Sequence, residues 1–467
     1  MARTPALARR TPRSTGADDL CRARRCKIGP RDGGPLLEPW FADHHLGISG
    51  DGDAGFPDGE SGAAIGSEGI TWKKRDAVLS RICEANVKVA VAFTGCHRRG
   101  GVERITFECS KFLAKRGHQV HVFAADCDQQ EDEIDYHRVA VRPSPSFLKG
   151  LRFHRAASRS LSDHDFDVLS THGCVSPLGG VHWVQSLHAA WLNTSKKFRA
   201  TGSIPWLKQK LNPLHPILLK LEELHFRERN YSHIIATTLE VQRDLQAFYG
   251  VPAEDVTIIP NGYSPNEFSE SKRLASREET RRSLGINEDE VVALFVANEL
   301  DRKGFDTILR AMRLLDHKTV KLLVVSRVPA ATVLRRAHNA GVGDRVLACG
   351  HTDDVARYHS AADIFVLPTQ YEAFCLAILE ALASGLPVVT TRVPGAADAI
   401  REGINGITIS EPRNAEELSS VLRRLLDPDL RASLSSAASP SVAQYQWPLI
   451  LERYENVLRQ FCSRLGR

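Results

Sequence analysis

Residues 363–395 read DIFVLPTQYEAFCLAILEALASGLPVVTTRVPG, and the order of residue types in them dictates a strand, a loop, a helix and a second strand. Asp363 to Pro368 is a short apolar run suited to a strand covered on both faces, and PVVTTR, from Pro387 to Arg392, is another. A helix is expected between them from near Phe374, with Gly385 and Pro387 ending it and launching the next strand. Strand, helix, strand is the repeating unit of an α/β fold.

The same alternation recurs outward from this unit. Val87 to Phe93 (VKVAVAF) reads as a buried strand, the loop TGCHRRGG follows, and Glu103 to Arg116 places Ile105, Cys109, Phe112 and Leu113 at helical spacing before Gly117. HQVHVFAA, DVLSTHG, VHWVQSL, HIIATT, VTIIP, VVALFVA, KLLVVS and RVLACG are further strand candidates, many with helical stretches between them. Strands alternating with helices predict parallel, doubly wound sheets. Of the 467 residues, those after residue 84 are too many for one such sheet and suit two domains of roughly 190 residues each. The expected organisation is an amino-terminal Rossmann-like domain over 85–262, a polar linker region over 263–290 and a carboxyl-terminal Rossmann-like domain over 291–445. A final helix over 446–467 is expected to pack back toward the first domain. Ligands of such sheets bind at the carboxyl ends of strands, so the active site belongs in a cleft between the two domains.

Residues 1–84 read differently. The first 70 hold 12 of the 33 glycines; residues 1–31 carry nine Arg/Lys, and residues 32–70 carry eight Asp/Glu with no basic residue. Such a segment buries too little apolar surface to offset its chain entropy and is expected to be a disordered extension. Its arginine-rich opening resembles an organelle transit peptide, against which Asp18 and Asp19 count, and it lacks the apolar core of a secretory signal.

Composition narrows the class. An apolar content of 42% and a charged content of 25% describe a globular chain, and no apolar run reaches the ~18 residues of a membrane span. Sixty-one basic against 56 acidic residues, a net charge of +5, is too mild to imply nucleic-acid binding. Ten cysteines without a CxxC pair or zinc-finger spacing favour a reducing, cytoplasmic setting.

Four stretches carry chemistry. In the quoted segment Glu372 and Glu380 lie eight residues apart; at ~1.5 Å per residue that is roughly 10 Å, the span of a nucleotide sugar. Between them the N–H groups of Phe374, Cys375 and Leu376 at the helix start would face a diphosphate. In FVANELDRKGFDTIL, Arg302 and Lys303 follow a strand and precede Gly304, where two cations could stabilise a leaving diphosphate. The loop His97 to Arg104 carries Gly100 and Gly101, which let backbone N–H groups approach an anion or a sugar closely. In VHWVQSLHAAW, His182 lies within the strand candidate and His188 follows it; His188 could hydrogen-bond a sugar hydroxyl or help position the acceptor, and the plain alternative for either is a satisfied core or surface histidine. The acidic pairs starting at Asp51, Asp126 and Asp427 imitate a DxD metal motif, but the second continues as QQEDEID and reads as an acidic surface loop. No metal site and no cofactor are expected, because Arg302, Lys303 and helix dipoles can supply the electrostatics.

Set in the frame ADIFVLPTQYEAF…LEALASGLPVV, the two glutamates resemble the E-x7-E signature of glycosyltransferase family 4, whose members have the GT-B fold of two Rossmann-like domains facing across a cleft. The resemblance covers about residues 86–460 and leans toward the lipopolysaccharide-core branch. The GGVER-like loop maps to Gly100 and Gly101, and His188 matches the family histidine placed near the transferred sugar. IIPNGYSPNEF, with Asn261 and Gly262, resembles the family's interdomain turn. Two departures stand out: Ala373, Phe374 and Cys375 replace a usual Gly-Phe-Gly, and Asn298 occupies the place of the arginine that opens the phosphate loop, so that one phosphate cation is missing or Arg302 substitutes for it.

The resemblance implies a retaining hexosyltransferase that uses a nucleoside diphosphate sugar. Glu372 would hold the sugar ring, Glu380 the ribose, and Arg302 with Lys303 the leaving phosphate, which takes the acceptor proton. The acceptor would be a glycan, a lipid-linked sugar or a small molecule; a non-catalytic nucleotide-sugar-binding or scaffold protein of the same fold is the alternative. Finally, residues 196–220 interleave Lys196, Lys197, Arg199, Lys208, Lys210 and Lys220 with Trp206 and several leucines and contain no acid, a pattern suited to peripheral contact with an anionic membrane or to a helical pair packed on its own sheet.

Overall fold

The computed structural model describes residues 86–98, 100–127, 131–141, 145–176, 178–199 and 201–462. The extension assigned to residues 1–84, Arg99 and the second aspartate of the Asp126 pair lie outside them. Among the described residues thirteen strands form two sheets in which every pairing is parallel. The first contains β1 (Lys88–Ala92), β2 (Gln119–Ala124), β3 (Ile134–Arg138), β4 (Val168–His172), β5 (Val181–Val184), β6 (His233–Ala236) and β7 (Val256–Ile258), in the order β3-β2-β1-β4-β5-β6-β7. The second contains β8 (Val291–Val296), β9 (Val320–Val325), β10 (Val346–Gly350), β11 (Ile364–Leu367), β12 (Val388–Thr391) and β13 (Gly406–Ile409), in the order β10-β9-β8-β11-β12-β13.

Both sheets reverse their strand order at one place. β1 has β2 on one side and β4 on the other; β8 has β9 and β11. A crevice opens where the connections leave in opposite directions, beyond the carboxyl ends of such strands. The glycine loop follows β1, the Arg302–Lys303 loop follows β8, and the Glu372 loop follows β11. Topology therefore delivers three of the four chemical stretches to the switch points.

The valine-rich strands are buried on both faces, as β1 and β8 show, because helices cover each side. The helix Trp447–Phe461 leaves the second half and packs on the first sheet through Trp447, Ile450, Leu451, Tyr454, Leu458 and Phe461. Tyr454 donates to Ser170 Oγ at 2.7 Å, so its buried hydroxyl is satisfied. At the crossing between halves, Tyr263 N–H donates to the Tyr445 carbonyl at 2.9 Å and Trp447 N–H donates to the Tyr263 carbonyl at 3.0 Å.

Three features depart from the sequence expectation. The stretch read as an acidic loop holds edge strand β3, whose burial is too partial for its residues to look apolar. β13 is only four residues long and was not among the expected strands. Within the polar 263–290 region, Glu270–Ser283 is a helix fastened to the second half. Arg273 Nε donates to the Ser384 carbonyl at 2.6 Å, Arg277 Nη1 to the Ala362 carbonyl at 2.8 Å and Arg281 Nη1 to the Ala361 carbonyl at 3.0 Å. Arginines do the anchoring that apolar residues do elsewhere, so hydrophobic periodicity does not reveal it.

Candidate active site

The loop after β8 is shaped by its glycine. Gly304 adopts a left-handed φ of 81°, and a Cβ there would collide with the Pro368 carbonyl oxygen of the neighbouring β11 loop. This close approach places Lys303 against Glu372. Lys303 Nζ donates to Glu372 Oε1, Thr369 Oγ1 donates to the same oxygen at 2.9 Å, and Arg302 Nη1 lies 3.5 Å from it. Burial alone would raise the Glu372 carboxyl, but the Lys303 ammonium and Arg302 guanidinium outweigh it and hold the group below the ordinary carboxylate range. All three contacts use Oε1. Arg302 also donates to Glu299 Oε2 at 2.7 Å and to the Tyr371 carbonyl, so its guanidinium ties the two loops together. The expectation that it stands in for the missing loop arginine does not fit this arrangement, because its donors are already engaged with the protein.

The helix starts later than the sequence suggested. It spans Leu376–Ala383 with Cys375 as its N-cap, and the Cys375 N–H donates to the Gly395 carbonyl at 3.1 Å. Cys375 therefore does not offer a donor to a diphosphate, and Phe374 lies outside the helix with its ring 6.3 Å from that of Tyr445. The first-turn N–H groups from Leu376 onward are the ones that lack intrahelical acceptors. Burial, with Glu372 nearby, pushes the Cys375 thiol up to about 12, so it stays protonated and is no nucleophile.

Glu380, one turn into that helix, faces the other half. Its Oε1 accepts from Arg104 Nη1 at 2.8 Å, and Arg104 Nη2 donates to Glu267 Oε2 at 2.7 Å. Burial raises the Glu380 carboxyl to about 7, against the pull of Arg104 and with a further push from Glu267. Arg104 and Glu380 line a cavity of about 1000 Å³ together with Gly100, Gly101, Asn298 and Leu376. Residues from the ends of β1 and β8 and from the helix after β11 thus converge on one space between the sheets. Arg327, at the end of β9, also lines it, and its N–H donates to Asn298 Oδ1 at 3.0 Å.

His188 stands apart from this cavity. It begins the helix His188–Lys196, is buried, stacks on Trp191 at 5.6 Å, and its Nε2 lies 2.6 Å from His215 Nδ1. Burial lowers it to about 4, so the ring is neutral near pH 7. Glu222 anchors that helix start, accepting from the His188 N–H and, at 3.1 Å, from the Ala189 N–H. His182 is a core histidine 3.0 Å from Thr171 Oγ1.

Sequence reasoning gave no role to Arg104, Glu267, Thr369 or Arg327. Arg104 was visible as the last residue of the glycine-loop motif; the others emerge only when β8, β9 and β11 are known to be neighbours.

A family model described as Glycosyltransferase Family 4 matches residues 99–267, and one described as Glycosyl transferases group 1 matches residues 276–439. The chain is 26% identical over 335 residues to the lipopolysaccharide glucosyltransferase WaaG of Escherichia coli (strain K12), covering 70% of this chain and 86% of WaaG. It is likewise 26% identical over 377 residues to the uncharacterized glycosyltransferase MJ1607 of Methanocaldococcus jannaschii, covering 76% and 93%. The crystal structure of WaaG superposes with a TM-score of 0.70 at 24% identity over 79% of this chain and 99% of WaaG. Anabaena Alr3699/HepE in complex with UDP and glucose superposes with a TM-score of 0.63 at 18% identity over 80% of this chain and 99% of that one. Both structures share the two-sheet fold. With a family model on each half and this fold, the chain belongs to glycosyltransferase family 4, the glycosyltransferases of GT-B architecture.

Proposed function

We propose that the enzyme transfers a hexose from a nucleoside diphosphate sugar to an acceptor held mainly by the amino-terminal half, with retention of configuration and without a metal ion. The observation that carries this reading is the Lys303–Glu372 pair at the carboxyl ends of β8 and β11, with Lys303 five residues after the cavity residue Asn298 and Glu372 four before the cavity residue Leu376. As the bond from the sugar to the diphosphate breaks, negative charge grows on the leaving oxygen. The Lys303 ammonium and the first-turn N–H groups of the helix Leu376–Ala383 are preorganised to meet that charge. Glu372 has Oε2 left for sugar hydroxyls, since its described contacts all fall on Oε1, and Glu380 likewise keeps Oε2 for the ribose. The leaving phosphate takes the acceptor proton. Arg302 acts as a positioning residue behind this pair, and Arg327 brings a further cation to the cavity wall. His188 serves the acceptor side by fixing the wall of the amino-terminal half.

UDP-sugars are the first donors to try, because HepE crystallised with UDP and glucose and WaaG is a glucosyltransferase. Purified enzyme is expected to release nucleoside diphosphate from at least one of UDP-, GDP- or ADP-hexose, at the same rate with and without a chelator. Tight binding with no release would favour the non-catalytic reading. Full loss on chelation, restored by magnesium, would overturn the metal-independent one.

A second proposal concerns the acceptor. No helix among the described residues is long and apolar enough to cross a membrane. The basic 196–220 stretch forms two short helices, Ile204–Leu211 and Leu214–Glu222, divided at Pro213. The second buries Leu221, whereas the first leaves Ile204 73%, Leu207 49% and Leu211 71% exposed. These three sit at helical spacing on one face, beside Lys208 and Lys210. That face suits contact with an anionic bilayer, and with it a lipid-linked acceptor. Replacing all three with serine is expected to cut co-sedimentation with phosphatidylglycerol vesicles at low salt by roughly tenfold or more, given ~1.5–3 kcal/mol per fully buried aliphatic side chain. Equal binding to neutral vesicles, or none to either, would point to an acceptor in solution.

A further inference from the structure

We infer that Arg104, in the amino-terminal half, is a positioning residue for donor recognition: its guanidinium supplies the counter-charge that keeps the Glu380 carboxylate ready for the ribose, and so makes nucleotide affinity depend on both halves. This rests on the assignment of Glu380 to the ribose.

The geometry is that of a bridge. Arg104 projects from the helix Val102–Lys115 that follows β1, Glu380 from the helix that follows β11, and Glu267 from the segment that joins the halves. Arg104 and Glu380 side chains are only 13% and 10% exposed, whereas Glu267 is 36% exposed. The guanidinium also lies 5.5 Å from the Phe268 ring, which limits its rotation. One nitrogen serves each carboxylate, and Glu380 gives Arg104 only Oε1. A ribose diol can therefore be accepted while the bridge stays intact.

Charge explains why the bridge matters. Arg104 is the cation in contact with Glu380, from the first half. Glu267 opposes the ionisation of Glu380, and Glu108 crowds Glu267 and Arg104 in turn. Arg98 lies 3.9 Å from Glu267; Lys272, which donates to the Asn266 carbonyl, and Arg273, which donates to the Ser384 carbonyl, line the same cavity. His359 packs under the helix carrying Glu380, 2.9 Å from Ser384 Oγ, and burial lowers it to about 3, so it adds no charge. Burial raises the Glu380 carboxyl to about 7 even with Arg104 in place; without Arg104 it would be buried beside Glu267 with no counter-charge and would hold its proton well above neutral pH. A protonated carboxyl accepts fewer hydrogen bonds from the diol. Affinity for the nucleotide then falls at pH 7 and returns as alkali removes the proton.

The test is the dissociation constant of the tightest of UDP, GDP and ADP by calorimetry between pH 6 and 9.5, on the full-length enzyme. Each variant is expressed relative to wild type at the same pH, which cancels titration of the ligand's own phosphate. Arg104→Gln is expected to weaken binding roughly tenfold at pH 7, with the gap closing as pH rises, because losing an adjacent opposite charge moves a carboxyl by ~1–3 pH units. Arg104→Lys should stay near wild type. Glu267→Gln should move the midpoint the other way, keeping affinity to lower pH. Glu380→Gln should bind weakly and lose this pH dependence. An Arg104→Gln deficit that is constant with pH, or equal in Arg104→Lys, would overturn the inference and leave only a packing role. Wild-type affinity in Glu380→Gln, or no binding of any of the three to wild type, would instead remove the ribose assignment beneath it.

Discussion

Alanine at position 303 is expected to lower kcat by roughly 10²–10³-fold at saturating donor, the cost typical of removing one preorganised group from a developing negative charge. Lys303 is fixed twice. The left-handed turn at Gly304 brings the β8 loop against the Pro368 carbonyl, and the Glu372 carboxylate then takes the ammonium. A lysine so held loses little rotamer entropy when the phosphate arrives and makes its strongest contact only as the leaving oxygen gains charge. The loss should therefore appear in kcat, with affinity for the intact donor changed only a few-fold, since the ground-state donor lacks the charge that develops on the leaving oxygen. Initial rates of nucleoside diphosphate release at saturating donor, paired with calorimetry, separate the two. Near-normal turnover in Lys303→Ala would falsify the assignment of Lys303 to the leaving group, whatever the affinity did.

How much of this was legible beforehand depends on what each residue is doing. Strands such as β1, β8 and β11 are apolar on both faces, so their runs of valine, isoleucine and leucine announced a parallel sheet, and the strand-end position of Gly100, Lys303 and Glu372 followed from it. Edge strands such as β3 carry no such run, because one side meets solvent. The helix Glu270–Ser283 was hidden for a different reason: buried arginines on carbonyl oxygens leave no apolar period to count. At the site, the pairing of Lys303 with Glu372 could be guessed from motif charge, but not that Arg302 would be taken up by Glu299 and the Tyr371 carbonyl. Nor did local pattern show that Cys375 caps its helix with its N–H already given to Gly395, since the partner lies twenty residues on, beyond β12. Contacts between halves, such as Arg104 with Glu380, are set by the relative placement of two sheets and leave no signal in any window of sequence.

Glutamine at position 372 should cost both turnover and stability, and the two losses have separable causes. The Glu372 side chain is 7% exposed and neutralises Lys303 and Arg302 at once. Removing one member of a buried ion pair costs ~3–5 kcal/mol because the survivor keeps its charge without a partner. Here the survivors are 15% and 21% exposed and Arg302 retains Glu299, so about 2 kcal/mol is the better expectation. The sign with pH follows from the depressed carboxyl: the native contribution is complete above the unfolded carboxylate value of ~4.3 and fades as pH falls through the lower folded one. Turnover should drop by at least about a hundredfold, through loss of the sugar contact and of the hold on Lys303. A cycle of Lys303→Ala, Glu372→Gln and the double variant then apportions these effects. If the two residues act as one unit, the double variant has a kcat close to that of Lys303→Ala and melts higher than Glu372→Gln alone, because no unpaired ammonium is left behind. The coupling should reach ~1–3 kcal/mol in both observables. Strict additivity in kcat would mean that Glu372 holds the sugar without holding the lysine, and Lys303 would then owe its position to the turn at Gly304 alone.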